Sequence, residues 1–193
     1  MTGKLRIISG QWRGRRLAVP DRPGLRPTGD RARETLFNWL GPRIVGARVL
    51  DLFAGTGALG LEAASRGASR VVLVERDRAA VDSLRSGPLS WPGAEPVELV
   101  HADALGWLRR ATGPFDLVLI DPPFDCALLD QALNGLCDRP ELLSGQASVY
   151  VESAPDQLPE DWPAELELVR QKRQGQVVLS LLRRRVTDKR PTL

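Results

Sequence analysis

Apolar residues fall along this chain in short dense runs separated by stretches of helical spacing. Five runs are apolar over most of their length: Arg48–Leu52, Arg70–Glu75, Val97–His101, Leu117–Ile120 and Ser148–Glu152. Strands buried on both faces of a parallel sheet have this unbroken character. Between them, apolar positions recur every three or four residues over Ala58–Arg66, Arg78–Ser86, Ala104–Ala111 and Ala127–Cys137, which predicts helices. Alternating strands and helices predict an α/β domain with a mostly parallel sheet covered on both sides. The end of the chain differs. Leu166–Arg170 and Val177–Leu182 flank a polar turn near Gly175, so a closing hairpin is expected, giving seven strands with the last antiparallel.

The first fifty residues follow another pattern. Leu5–Ser9 and Arg15–Val19 bracket the turn Gly10–Gly14, which predicts a basic β-hairpin. Asp21–Pro27 is a loop stiffened by prolines. Thr28 is the expected cap of a helix reaching Leu40, with Ala32, Leu36, Trp39 and Leu40 on its apolar face. Arg31, Glu34, Thr35 and Asn38 line the opposite side. The expected division is an arm over residues 1–24, the main domain over 25–186 and a loose tail over 187–193. The proline-rich segment Gly87–Gly93 interrupts the α/β pattern and suggests no role.

Charge is unevenly placed. Residues 1–50 hold eleven basic and three acidic side chains, a surplus of eight, whereas the whole chain carries +3. The remaining 143 residues are therefore net acidic by five charges. A basic arm on an acidic body points to a polyanionic partner. Arg13, Arg15 and Arg16 around Trp12 suit phosphate gripping with one stacking ring; a solvated basic face is the plain alternative. Cys126 and Cys137 share one predicted helix, about 16 Å apart along its axis, too far to pair within it, as expected in a reducing cytoplasm. No apolar run reaches the ~18 residues of a membrane span, and no signal peptide is expected. No Cys/His cluster has metal spacing. Lone His101 is expected to be packed, and Trp39, Trp107 and Trp162 are expected to be packing residues.

Candidate chemistry begins at Asp51-Leu52-Phe53-Ala54-Gly55-Thr56-Gly57-Ala58-Leu59-Gly60, a strand, a glycine turn and the start of a helix. Such a corner binds ligands in open α/β sheets. Gly55 and Gly57 let the backbone approach a ligand, and Asp51 places a carboxylate at the mouth. The spelling also satisfies the dinucleotide fingerprint G-x-G-x-x-G, with acidic Glu75 about 20 residues on. Asp103 resembles the acid that accepts an adenine amine in such sheets, with a helix N-cap as the plain alternative.

The second motif, Asp121-Pro122-Pro123-Phe124, closes the strand Leu117–Ile120. It resembles the D-P-P-F of enzymes that methylate exocyclic or amide nitrogens, and Asp51–Gly57 is similar to their S-adenosylmethionine loop, D-x-F-x-G-x-G. An aromatic amine needs acceptors for its N–H protons more than a strong base. The Asp121 carboxylate and Pro122 carbonyl suit that task, Pro123 stiffens the loop, and Phe124 offers a face for a base.

A more specific resemblance runs through Arg6–Leu17, Gly24–Thr28, Arg31–Leu40, Asp51–Leu61, Asp121–Phe124 and Val149-Tyr150-Val151-Glu152-Ser153. In these segments the chain is identified as a member of the RsmD family, bacterial 16S rRNA guanine-N2 methyltransferases. The resemblance implies a Rossmann-like class I methyltransferase fold. It implies a cytoplasmic monomer that transfers methyl from S-adenosylmethionine to one guanine of the small ribosomal subunit. By the same resemblance, Asp51, Phe53, Gly55, Gly57, Glu75, Asp103 and Ala104 hold cofactor, and Asp121 to Phe124 the target base. Arg6, Trp12, Arg13, Arg15, Arg16, Arg26, Thr28, Arg31, Arg33 and Asn38 contact RNA, with Arg26, Thr28 and Arg31 lining the channel. Three competitors remain: an NAD-dependent dehydrogenase, which leaves D-P-P-F without a use; a non-enzymatic RNA-binding assembly factor; and an adenine-N6 or glutamine methyltransferase.

Overall fold

A computed structural model describes residues 5–18, 29–123 and 126–185, with nothing of the Cys126 side chain. The N-terminal hairpin has two-residue strands, β1 Leu5–Arg6 and β2 Arg16–Leu17, shorter than the sequence suggests. Its pairing continues irregularly, with Ile7 N–H donating to Arg15 O at 2.9 Å and Gly14 N–H to Ile7 O at 2.9 Å. Helix α1 covers Asp30–Leu40. Then follow β3 Arg48–Asp51, α2 Ala58–Ser65, β4 Arg70–Glu75, α3 Arg78–Ser86, β5 Val97–His101 and α4 Ala104–Leu108. The remainder is β6 Phe115–Ile120, α5 Cys126–Cys137, β7 Leu143–Ser153, β8 Leu166–Gln174 and β9 Val177–Arg184.

Seven strands form one sheet in the order β5-β4-β3-β6-β7-β9-β8. The first five are parallel, and β9 runs antiparallel to both its neighbours. The strand order reverses direction between β3 and β6, the place where open sheets bind ligands. Successive strand residues point to opposite faces. Val49, Val71, Leu117 and Tyr150 therefore pack with α1, α2 and the hairpin, while Leu50, Val72, Val118 and Val149 pack with α4 and α5.

Sequence and structure differ at several ends. The first turn of α1 is preceded by Gly29 without a side-chain cap; Thr28, the expected cap, lies outside the described residues. Helix α4 stops at Leu108 rather than Ala111, and β7 begins five residues earlier than its apolar run, at Leu143. The other large difference is the arm. Leu5, Ile7, Trp12 and Leu17 are buried in the same core as α1 and α2. Gly10 has φ +83, and any side chain there would overlap the Ser65 carbonyl, so the hairpin lies directly against the end of α2.

Candidate active site

Four acids line the C-terminal ends of four adjacent strands: Glu75 on β4, Asp51 on β3, Asp121 just past β6 and Glu152 on β7. Strand alternation sets all four on the face shared with α1 and α2, since Leu73, Val49, Leu119 and Tyr150 two residues earlier pack there. Among the described residues, no three His, Cys, Asp or Glu could hold a metal ion together.

The loop after β3 is strapped to both neighbouring strands: Leu52 N–H donates to Leu119 O at 3.0 Å and Ala54 N–H to Val74 O at 2.9 Å. Gly55 has φ +54, and a Cβ there would meet nothing within 4 Å, so the turn presents bare backbone to open space. Its N–H donates to Glu75 Oε2 at 2.7 Å, while Asp77 N–H donates to Glu75 Oε1 at 2.6 Å. Two amides thus aim the Glu75 carboxylate. Asp77 also caps α3, its Oδ1 accepting from Ala80 N–H at 2.9 Å.

Asp51 is 1 % exposed. Its Oδ2 accepts the Gly60 amide at 2.9 Å in the first turn of α2, whereas buried Oδ1 has no hydrogen-bond partner among the described residues. Burial pushes the Asp51 carboxyl up to about 7; the charges of Asp121 and Glu75 add to the rise, and the Gly60 amide and, more weakly, the nearby Phe53 amide oppose it. Asp103 is exposed and caps α4, its Oδ1 accepting Gly106 N–H at 2.7 Å. Ala102 N–H donates to Glu75 O at 3.0 Å, tying that turn to the Glu75 strand end. Phe53 is half-buried and Ala104 buried. Asp121 and Pro122 are half-buried and Pro123 exposed, while Phe124 lies outside the described residues.

The residues expected to contact RNA separate into two groups. Arg6, Arg13, Arg15, Arg16, Arg31 and Asn38 are exposed, and Arg26 and Thr28 lie outside the described residues. Trp12 and Arg33 do not serve as expected. Trp12 is 2 % exposed and meets Trp91 edge-on at 5.5 Å, its Nε1–H donating to Pro92 O at 2.9 Å, so neither face is open to a base. Arg33 is fully buried, donating to Asp30 Oδ1 at 2.6 Å, Arg6 O at 2.8 Å and Glu62 Oε2 at 3.3 Å. His101 is exposed rather than packed, with Nε2 3.1 Å from Arg76 O. Trp39, Trp107 and Trp162 pack against the two core layers.

Sequence reasoning missed Glu62 and the Trp91 loop. Glu62 is the hub that receives Arg33, and it also accepts Ile8 N–H at 2.8 Å, Ser9 N–H at 3.0 Å and Arg66 Nε at 2.8 Å. Its signal was a single acid in an otherwise small and apolar helix, Ala58–Ser65. The proline-rich segment is the seat of the hairpin: besides the Trp12 contacts, Gln11 Nε2–H donates to Gly93 O at 3.2 Å and Arg15 lies over Trp91 at 4.9 Å. A cavity of about 300 Å³ lined by Arg43, Ala47, Asp116 and Ser148 opens at the opposite end of the strands, away from the acid row.

With this geometry established, resemblance to known proteins decides the family. The model of a family described as "Conserved hypothetical protein 95" matches residues 5–183. Ribosomal RNA small subunit methyltransferase D of Escherichia coli K12 is 48% identical over 183 residues, 95% of this chain and 91% of that protein. The chain belongs to the RsmD family. The Haemophilus influenzae methyltransferase D is 42% identical over 83% of this chain and 86% of its own length. A solved structure titled putative methyltransferase yhhF from Escherichia coli superposes with TM-score 0.86 at 47% identity, covering 95% of this chain and 99% of that one. The RsmD fold thus accounts for the parallel sheet, its antiparallel β9 and the small N-terminal sheet.

Proposed function

We propose that this protein transfers a methyl group from S-adenosylmethionine to the exocyclic N2 amine of a guanine in 16S rRNA of the small ribosomal subunit. The observation that carries this reading is the placement of two acids at the switch point, Asp51 ending β3 level with Leu119 and Asp121 two residues further out, just past β6, with the open Gly55 turn beside them. The residues fit an adenosine cofactor with cationic groups. Glu75, aimed by two amides, suits a ribose diol through charge-assisted hydrogen bonds. The unpartnered buried oxygen of Asp51 suits an ammonium donor. Asp103 and buried Ala104 border the place for an adenine ring.

When bound, S-adenosylmethionine supplies an electrophilic methyl on a sulfonium. The chain's residues do the rest by positioning. The Asp121 carboxylate and Pro122 carbonyl accept the N–H groups of the guanine amine and turn its lone pair away from the ring. Pro122 and Pro123 contribute no N–H donors there and keep the acceptors fixed. The strand-end acids give the site a negative field that favours a cationic donor. Exposed Arg13, Arg15 and Arg16 contact rRNA phosphates, in a cytoplasmic setting. The division into an RNA-gripping arm over residues 1–24 and a methyltransferase domain over 25–186 is functional, since the arm's apolar side belongs to the common core.

The test is tritiated-methyl transfer to small subunits from a strain lacking the modification, followed by nucleoside analysis. N2-methylguanosine is expected. Label in N6-methyladenosine would favour the adenine alternative, and no transfer with retained subunit binding would favour an assembly factor.

A further inference from the structure

The net acidity of the chain beyond its first fifty residues conceals a local exception. Residues 166–185 hold six basic side chains and one acid, Glu167. They contain β8 and β9, and β8 is the edge of the sheet opposite β5. Strand register sorts the charges. Arg170 pairs across with Leu181 and Lys172 with Leu179, and both leucines pack on the α1 face. Arg183 pairs with Ser148, two residues before Tyr150 and so on that same face. All three basic side chains are exposed. Arg170 and Lys172 stand two strand residues apart, a rise of about 7 Å, comparable to the step between successive phosphates of a polynucleotide.

A fourth cation joins them from another element. Arg43, exposed in the 3-10 turn Gly41–Ile44, donates to Leu40 O at 3.3 Å, Trp39 O at 3.4 Å and Ser148 Oγ at 3.3 Å. Burial first, then the charges of Arg183 and Arg170, lowers the pKa of its guanidinium, so the three arginines act on one another. Glu167 lies across from Arg183, yet none of the four cations has an ion pair among the described residues. Like charges gathered without a counter-charge repel one another, and the fold nevertheless fixes Arg43 among them with three acceptors. The stripe runs from Arg43, at the far end of the strands, to Lys172, level with the end of β7 through Leu179. There Gln174 Nε2–H donates to Thr35 Oγ1 at 2.7 Å, closing β8 against α1 one turn after exposed Arg31.

We propose that this stripe is a second rRNA-binding surface, gripping phosphates on the side of the acid row opposite the arm. The arm is seated on the loop before β5, at one edge of the sheet. The stripe is at the other edge, six strand spacings or about 29 Å away. The acid row lies between the two and repels phosphate. A backbone held at both edges and kept off the acids sends only an uncharged base down to Asp121. The competing explanation is that charges on β8 merely keep an open edge from pairing with another copy. Edge protection accounts for Arg170 and Lys172. It does not account for Arg183 and Arg43, which lie off the edge strand and converge on the same face.

This inference rests on the rRNA methyltransferase reading, and the test separates their failures. Small subunits from a strain lacking the modification are titrated with the wild type, with Arg170→Ala/Lys172→Ala and with Arg109→Ala/Arg110→Ala. The last is a charge-matched control that removes two exposed arginines just past α4, which packs on the other face. The stripe variant is expected to bind about 10- to 50-fold more weakly at physiological salt, with a salt slope smaller by about two. Its kcat/KM should fall by the same factor, while kcat at saturating subunits and S-adenosylmethionine affinity hold. The control should bind within about twofold of the wild type. Arg183→Ala, off the edge, should by itself reduce the salt slope by about one, and it serves if the double variant aggregates or does not fold. Equal losses in stripe and control variants, or an unchanged slope in both the stripe variant and Arg183→Ala, overturn the second surface and leave the methyltransferase reading standing. Absence of methyl transfer by the wild type at saturating subunits overturns the methyltransferase reading itself; stripe-dependent binding would then still support the surface.

Discussion

Two buried carboxylates on the same face of the sheet are treated in opposite ways. Glu62 is fully buried and receives two backbone amides and two guanidinium groups. Asp51 is as deeply buried, yet receives the Gly60 amide on one oxygen and leaves the other without a partner among the described residues. Burial of a charge is costly unless it is paired and hydrogen-bonded. Glu62 meets that condition within the chain and joins the hairpin to α1 and α2. Asp51 does not, and its raised pKa records the deficit. An acid completed by its own protein is architecture; an acid left incomplete beside an open glycine turn is fitted to something that arrives.

The sharpest way to break the comparison is at Glu62. Glu62→Ala strands Arg33 and the hairpin amides without their acceptor and should cost about 3–5 kcal/mol in chemical denaturation. If stability changes by less than about 1 kcal/mol, Glu62 is not the clasp. At the site the loss should fall on turnover instead. Asp121→Ala should lower kcat by about 10²- to 10³-fold with cofactor affinity nearly intact, as read by steady-state kinetics and calorimetry. Unchanged turnover would remove Asp121 from the mechanism.

Asp51→Asn is a gentler probe with a distinctive signature. The Asp51 carboxyl is raised from its ordinary value of 3.8 to about 7 in the folded protein. Between those values the folded chain binds a proton that the unfolded chain has lost. That contribution to stability is fully present below about pH 4 and is lost as pH rises to about 7. Asn cannot ionise, so the stability difference between wild type and Asp51→Asn should drift across this window, to the disadvantage of the wild type at neutral pH. Cofactor affinity should weaken by about 1.5–3 kcal/mol through the lost charged partner. A flat difference between pH 4 and 7 would contradict the raised carboxyl. The smallest effects belong to the arm's surface: replacing Arg13 or Arg16 by Ala should leave stability within about 0.5 kcal/mol. Each should reduce the salt slope of RNA binding by about one.

Much of this was legible beforehand because the strands are unbroken apolar runs and the key acids end them. Glu75 and Asp51 could be placed at strand ends from the apolar runs alone, and they end β4 and β3 in the structure. What stayed illegible depends on distant partners. Arg33 and Arg31 are near neighbours in a basic helix, and nothing in their spelling separates them. The difference is that Arg33 turns inward to Glu62, twenty-nine residues away, while Arg31 faces solvent. Trp12 looked like a stacking ring because it is flanked by arginines; its ring closes on Trp91 and Pro92, about eighty residues on. Glu152 lay inside a family-like segment, but its neighbour Asp121 became visible only through the β6–β7 register.

The most direct test is a crystal structure with bound S-adenosylmethionine. The account predicts its ammonium at Asp51, its ribose at Glu75 and its methyl carbon turned toward Asp121, with room for a purine beside that carbon. A cofactor seated elsewhere, or a methyl facing away from Asp121 with no passage for a base, would contradict it.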